Sequence, residues 1–199
     1  MKIKYQQGKN CADDRHIQQN RIGVYGHFSS YDSLHLTDLM NTLPKNATIV
    51  EVGVFLGLST VLIHETLDKE KEFKYYGIDK FVDNDGYNHE KAKTTFHKTV
   101  ETFKLPIEFI EGDSAGTATR FEDDAVDFVF IDADHSHNAV KKDIESWLPK
   151  IKLNGYLCGH DRSCTYKVPK DMFNNNKNFR EVKPEDQKLD DCWYYQRMK

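Results

Sequence analysis

The sequence predicts an α/β fold: a mostly parallel seven-stranded sheet with helices on both faces, closed at its C-terminal edge by an antiparallel pair. Three observations predict it. Five short apolar runs rich in β-branched residues alternate with stretches of helical period, the pattern of parallel strands joined by right-handed crossovers. Each of the five ends in a glycine, acid or histidine rather than in the tight turn of a hairpin. Two further β-like runs, residues 179–183 and 192–197, have only a polar loop between them, which suits an antiparallel pair.

The elements follow in order. After a polar N-terminal arm to about Ser30, Leu36, Leu39, Met40 and Leu43 share one helix face and Pro44 marks the exit. The first strand, TIVEV from Thr48, draws its β character from Val50 and Val52, and Leu58, Val61 and Leu62 then switch to helical period until about Lys69. Residues 74–80 form the second strand, closed by Asp79. A loop containing Asp83, Asn84, Asp85 and Gly86 leads to a helix carrying Ala92, Phe96, Val100 and Phe103 on one face. Pro106 opens the third strand, IEFIEGDS. The fourth, residues 126–131, is the most apolar and precedes Asp132. Val140, Ile144, Trp147 and Leu148 line the next helix, and residues 155–158 form the fifth strand before His160 and Asp161. One domain is expected over residues 1–199: an arm and helix (1–46), a ligand-binding core (47–161), and a substrate-side loop with edge strands (162–199).

Composition sets the class. With 199 residues and 38% hydrophobic content, the chain can bury one sizeable core. The net charge of −4, with 28 basic residues scattered along the chain, gives no reason to expect nucleic acid or an anionic membrane as partner. Cys11, Cys158, Cys164 and Cys192 have no CxxC spacing, and two lie in apolar runs, so reduced thiols are expected. No apolar leader opens the sequence and no run reaches membrane-spanning length, so a cytoplasmic protein is expected.

The chemistry concentrates at the strand ends, where an open parallel sheet binds ligands. TIVEVGVFLGLST passes from strand through a turn bearing Gly53 and Gly57 into a helix whose free N–H groups favour an acceptor-rich ligand. Both glycines are expected to let backbone approach that ligand. Asp79, 26 residues beyond Gly53, is placed to accept both hydroxyls of a ribose, and Asp113 to accept from an adenine amino group. Phe55 and Phe81 either border the cofactor or pack into the core. The GxxxG spacing lacks the pyrophosphate signature GxGxxG, which argues against a nicotinamide enzyme.

Here the sequence resembles the class I S-adenosylmethionine-dependent methyltransferases, whose Rossmann-like fold it implies. EVGVFLGLS looks like their first motif, with Glu51, Gly53, Gly57 and Ser59 in matching places, and GID at residues 77–79 resembles their ribose-binding strand end. The resemblance implies S-adenosylmethionine as cofactor, with Glu51, Gly53, Phe55, Gly57, Ser59, Asp79, Lys80, Asp113, Ser114 and Asp132 as its contacts. A narrower likeness runs through DFVFIDADHSHNAVKKDIESWLPKIKLNGYLCGHD, residues 127–161. It is similar to the metal-dependent sugar and macrolide O-methyltransferases and, more distantly, to catechol O-methyltransferases.

That likeness implies a divalent cation held by Asp132, His160 and Asp161, and His135 as catalytic base. It departs at His160, where relatives usually carry an acid. An imidazole suits transition metals better than Mg²⁺, so the ion stays open between the two. Gly159 offers the turn that two consecutive ligands need. The implied reaction is O-methylation of a small sugar-like or polyhydroxylated acceptor by an enzyme that is a candidate homo-oligomer. Tyr166, Lys167 and Lys170 could cover that acceptor.

Other readings compete. His135 and His137 could cap the helix beginning near Ser136, and Asp134 could be a helix-start acid. Asp132, Asp134, His135, His160 and Asp161 would also suit a metal-dependent hydrolase, which has no need of Gly53 and Asp79. A module that binds the cofactor without turnover is the reading outside enzymes.

Overall fold

The computed structural model describes residues 9, 11–83, 86–183 and 190–199. Asn84, Asp85, the first eight residues of the arm and most of the polar loop before the last strand lie outside them, as does the side chain of Cys11. The strands are β1 (Thr48–Val52), β2 (Lys74–Asp79), β3 (Ile107–Glu111), β4 (Val126–Ile131), β5 (Ile151–Gly159), β6 (Phe179–Glu181) and β7 (Trp193–Arg197). They form one seven-stranded sheet in the order β3-β2-β1-β4-β5-β7-β6. The first five run parallel; β7 pairs antiparallel with both β5 and β6, as the two closing β-like runs predict.

The helices are α1 (Cys11–Ile22), α2 (Ser30–Met40), α3 (Leu58–Thr66), α4 (His89–Phe103), α5 (Ser114–Ala118), α6 (His137–Trp147), α7 (Arg162–Thr165) and α8 (Lys167–Phe173). Alternate side chains of the central strands feed two cores. Ile49 of β1 with Phe128 and Phe130 of β4 pack under α2, α3 and α4. Val50 and Val52 with Val129 and Ile131 pack under α5, α6 and α8. Burial on both faces accounts for the nearly unbroken apolar character of β4.

Three expectations about the elements change. The N-terminal arm carries α1, whose inward face is polar: Asp14 and Gln18 are fully buried, and Asp14 accepts from Ser30 N at 2.7 Å and Ser30 Oγ at 2.8 Å. An amphipathic period was therefore absent from the sequence. The segment after Asp161 is two short helices rather than a loop, and β5 begins at Ile151, four residues before the apolar run suggests.

The turn after β1 is fixed by the protein itself. Gly53 has φ +92°, and a Cβ there would overlap the backbone carbonyl of Asp132. Gly57 has φ +90°, and a Cβ there would press on Thr99 and Phe96. The expectation that both glycines admit a ligand is corrected for Gly57, which admits Thr99 and Phe96 of another helix; Gly53 borders the cavities and also admits the Asp132 backbone, which locks the end of β1 against the end of β4. Gly159 is likewise not the turn residue. It lies in β5 under the Trp193 indole, and the left-handed residue at the exit is Asp161, with φ +53°.

Candidate active site

Two cavities open beyond the carboxyl ends of the strands. The first, of about 430 Å³, runs across β1, β2, β3 and β4. Its walls include Gly53, Phe55, Asp79, Lys80, Phe81, Asp113, Ser114, Asp132 and His135, with Ala139, Lys142 and Asp143 of α6. The second, of about 360 Å³, lies on the other side of that wall. It is bounded by Arg15, Tyr25, His27 and Phe28 from the N-terminal segment, by Leu58 and Ser59 of α3, and by Asp161. Gly53, Phe55, Asp132, Ala133 and His135 border both.

Asp79 ends β2 with its carboxylate already holding the turn opposite. Oδ2 accepts from Phe55 N at 2.8 Å and Oδ1 from Phe81 N at 2.7 Å. Burial raises its pKa while these backbone donors oppose the rise. Phe55 sits at φ +44°, so this bond restrains a non-glycine residue in a conformation it rarely adopts. The carboxylate nonetheless borders the first cavity. Asp113 is engaged too, capping α5 through Gly116 N at 2.9 Å, and it still borders the first cavity. Phe81 both packs, against Phe96 and Phe109, and borders the cavity.

Glu51 and Gly57 border neither cavity, and Ser59 borders the second rather than the first. The Glu51 carboxylate is fully buried and receives Ser59 Oγ at 2.6 Å, Thr60 Oγ1 at 2.8 Å and Tyr75 OH at 3.0 Å. Desolvation pushes its pKa up to about 7 despite these donors. It acts as a brace under the turn.

At the ends of β4 and β5, four titratable side chains converge. His135 Nε2 stands 2.8 Å from Asp161 Oδ2 and 3.7 Å from Asp132 Oδ1. His160 Nδ1 lies 3.4 Å from each of the same two oxygens. The Asp132 and Asp161 carboxylates raise the pKa of His135 to about 10. Burial works against charge on His160, yet Asp132, Asp161 and Asp32 hold it well above the ordinary range. Burial would raise Asp132 and Asp161 as well; the two imidazoles prevail and keep both low. The helix-cap alternative for His135 does not hold: Ser136 is the N-cap of α6, Asp134 accepts Ser136 N at 2.8 Å, and the His135 ring turns to the carboxylates.

Asp132, His135 and Asp161 offer donor atoms close enough together to hold one ion. The His160 contacts also fit one. Donors 3.4 Å apart subtend a roughly tetrahedral angle at an ion about 2.1 Å from each, the usual length for nitrogen and oxygen ligands of a transition metal. Sequence reasoning missed Arg15, Tyr25, His27 and Phe28 on the second cavity, because nothing local in an apparently irregular arm marks them. Tyr166, Lys167 and Lys170 border neither cavity.

An open α/β sheet of this order, with a strand-to-helix turn and a carboxylate-bearing cavity at its carboxyl edge, defines the class I methyltransferase architecture. A family model described as a methyltransferase domain matches residues 50–162, more than half of the chain, and the chain belongs to that family of S-adenosylmethionine-dependent methyltransferases. No curated protein matches it by sequence. Among solved structures it is similar to a protein from Corynebacterium glutamicum, with a TM-score of 0.65 and 14% identity over 98% of this chain and 92% of that one. A candidate caffeoyl-CoA O-methyltransferase from Staphylococcus aureus gives a TM-score of 0.64 and 16% identity over 91% and 88%. A candidate methyltransferase from Streptococcus mutans, solved with S-adenosylhomocysteine, gives 0.61 and 11% over 84% and 98%. At these identities the likeness is one of fold. Among the described residues no helix is long and apolar enough to cross a membrane.

Proposed function

We propose that the protein transfers the methyl group of S-adenosylmethionine to a hydroxyl of a small, sugar-like or polyhydroxylated acceptor, with a divalent cation held by Asp132, Asp161 and His160. The observation that carries this reading is the wall shared by the two cavities. Cofactor in the first cavity and acceptor in the second would meet across Gly53, Phe55, Asp132 and His135. The likeness to a candidate O-methyltransferase from Staphylococcus aureus supports oxygen as the methylated atom.

Each residue has a task in this scheme. Asp79 orients the ribose while fixing the Phe55 turn, and Phe55 forms the partition past which the methyl group travels. Asp132 and Asp161 bring two carboxylates to one point, where they repel unless a cation or a proton lies between them. When bound, a divalent cation offsets the charge of an alkoxide and gives two adjacent hydroxyls one anchor. His135, released from the carboxylates, takes the proton of the reacting hydroxyl, and holding that hydroxyl in line with the methyl group supplies the orientation term. Buried free thiols at Cys158 and Cys192 support a reducing, cytoplasmic setting.

The test is a calorimetric titration with S-adenosylmethionine and then with single divalent ions, followed by methyl transfer to paired diol and deoxy acceptors. Ion-dependent methylation of the diols alone is expected. Full transfer by chelated protein would remove the cation from the mechanism, and cofactor binding with no turnover on any acceptor would favour the non-catalytic module.

A further inference from the structure

The His160 ring is 2% exposed at the end of β5, packed against the rings of Phe28, 5.3 Å away, and Phe130, 6.5 Å away. Neither phenylalanine ring carries a polar atom that could distinguish the two imidazole nitrogens. The distinction comes from the other side. Nε2 faces the Asp32 carboxylate, with Oδ2 at 3.4 Å, at ion-pair distance though without the alignment of a hydrogen bond. Nδ1 faces Asp132 and Asp161.

Asp32 occupies the N3 position of α2, where it completes a capping box with Ser29. A cap needs no burial, yet Asp32 is 0% exposed. Its carboxylate also accepts Ser29 N at 2.9 Å and Asp191 N at 2.9 Å, which ties the start of α2 to the approach to β7. Asp32, His160 and Cys192 could themselves be taken for an ion site. The third member of that trio, the Cys192 thiol, is fully buried, and desolvation pushes its pKa well above the ordinary value, so it stays protonated and is a poor ligand. That leaves Asp32 the role of a partner to the imidazole.

We propose that Asp32 is a positioning residue for ion binding: its carboxylate, at ion-pair distance from Nε2, favours the proton of His160 on that nitrogen and so leaves the Nδ1 lone pair directed at the point shared by Asp132 and Asp161. The proposal rests on the cation reading above and adds a member to it from α2, outside the family-matched residues 50–162. A ring turned over would present carbon to the carboxylates, so the selection is between a nitrogen ligand and none.

The test uses the full chain and Co²⁺ alone, followed by visible absorption and calorimetry. Asp32→Asn should weaken Co²⁺ binding by about 10- to 100-fold, the usual loss when an outer partner of a metal-bound histidine is removed. Affinity for S-adenosylmethionine should stay unchanged. His160→Ala should weaken Co²⁺ as well, and adding Asp32→Asn to it should cost nothing further. In Zn²⁺-loaded wild-type protein with ¹⁵N-labelled histidine, His160 should carry the metal on Nδ1 and the proton on Nε2. That spectrum decides the question even if Asp32→Asn fails to fold. Unchanged Co²⁺ affinity in Asp32→Asn, additive losses in the double variant, or metal on Nε2 would overturn the proposal and leave the cation site standing. A wild-type chain that binds no Co²⁺ would overturn both.

Discussion

His135 Nε2 donates to Asp161 Oδ2 at 2.8 Å, so the residue proposed as base is also the cation that holds two carboxylates together. These roles exclude each other at any instant, because an imidazolium engaged with Asp161 has no lone pair for a substrate proton.

Replacing His135 with Ala should therefore separate chemistry from binding. Turnover is expected to fall on the order of 10² to 10⁴, the usual loss for a general base, while S-adenosylmethionine affinity changes little. Parent-level turnover in the variant, measured as S-adenosylhomocysteine formed with a working acceptor, would make His135 a bystander.

The pH profile should depend on the ion. His135 is held protonated up to about pH 10 by Asp132 and Asp161. The sign is that of a raised histidine: the stabilisation is complete below its ordinary value of about 6.5 and is lost as pH rises through about 10. Chelated protein should gain activity only as pH climbs toward 10, and added divalent ion should move this limb toward neutrality. Identical profiles with and without ion would refute the coupling.

Asp79→Ala should weaken S-adenosylmethionine binding about tenfold or more, since hydrogen bonds to a charged group are worth about 1.5 to 3 kcal/mol. The loss has two sources, the ribose acceptors and the restraint on Phe55. Asp79→Asn keeps one acceptor and should lose less. Calorimetry giving parent affinity for both variants would sink the ribose assignment.

Glu51 should give the protein a stability gradient near neutral pH. Its pKa rises from 4.5 to about 7 on burial, so its contribution is complete below about 4.5 and declines as pH rises through 7. The full decline is about 3 kcal/mol, because each tenfold change in proton affinity is worth about 1.4 kcal/mol. Denaturant midpoints of Glu51→Gln should lack this gradient between pH 5 and 8; parallel curves for the two proteins would refute it.

Gly53→Ala should fail as a folded protein, or lose several kcal/mol, about the cost of strain at a forbidden φ plus a backbone overlap. The overlap is with the Asp132 carbonyl. A variant that melts at the parent temperature would show that the two strand ends are not locked together.

Much of this was legible in the sequence because it is written locally. Apolar or β-like runs marked every strand, helical period marked α2, α3, α4 and α6, and the row of acids after the strands marked the edge where the cavities open. What the sequence hid is set by distant contacts. The inward face of α1 is polar, with Asp14 answering Ser30 on α2, so no apolar period announced a helix. Glu51 looked like a cofactor contact, but its acceptors are spent on Ser59, Thr60 and Tyr75. Asp32 gave only the signature of a helix start; its approach to His160 joins positions far apart in the chain.

The acceptor-side wall has an unusual lineage. Arg15, Tyr25, His27 and Phe28 come from one short, contiguous stretch that precedes the family-matched residues 50–162, whereas the reacting groups lie within them. Under the proposed function, part of the acceptor choice would rest on this stretch. Phe28 is tied to the strands through Phe130 and His160, so a library for new acceptors would begin with Arg15, Tyr25 and His27, whose variation leaves the strands unrewritten.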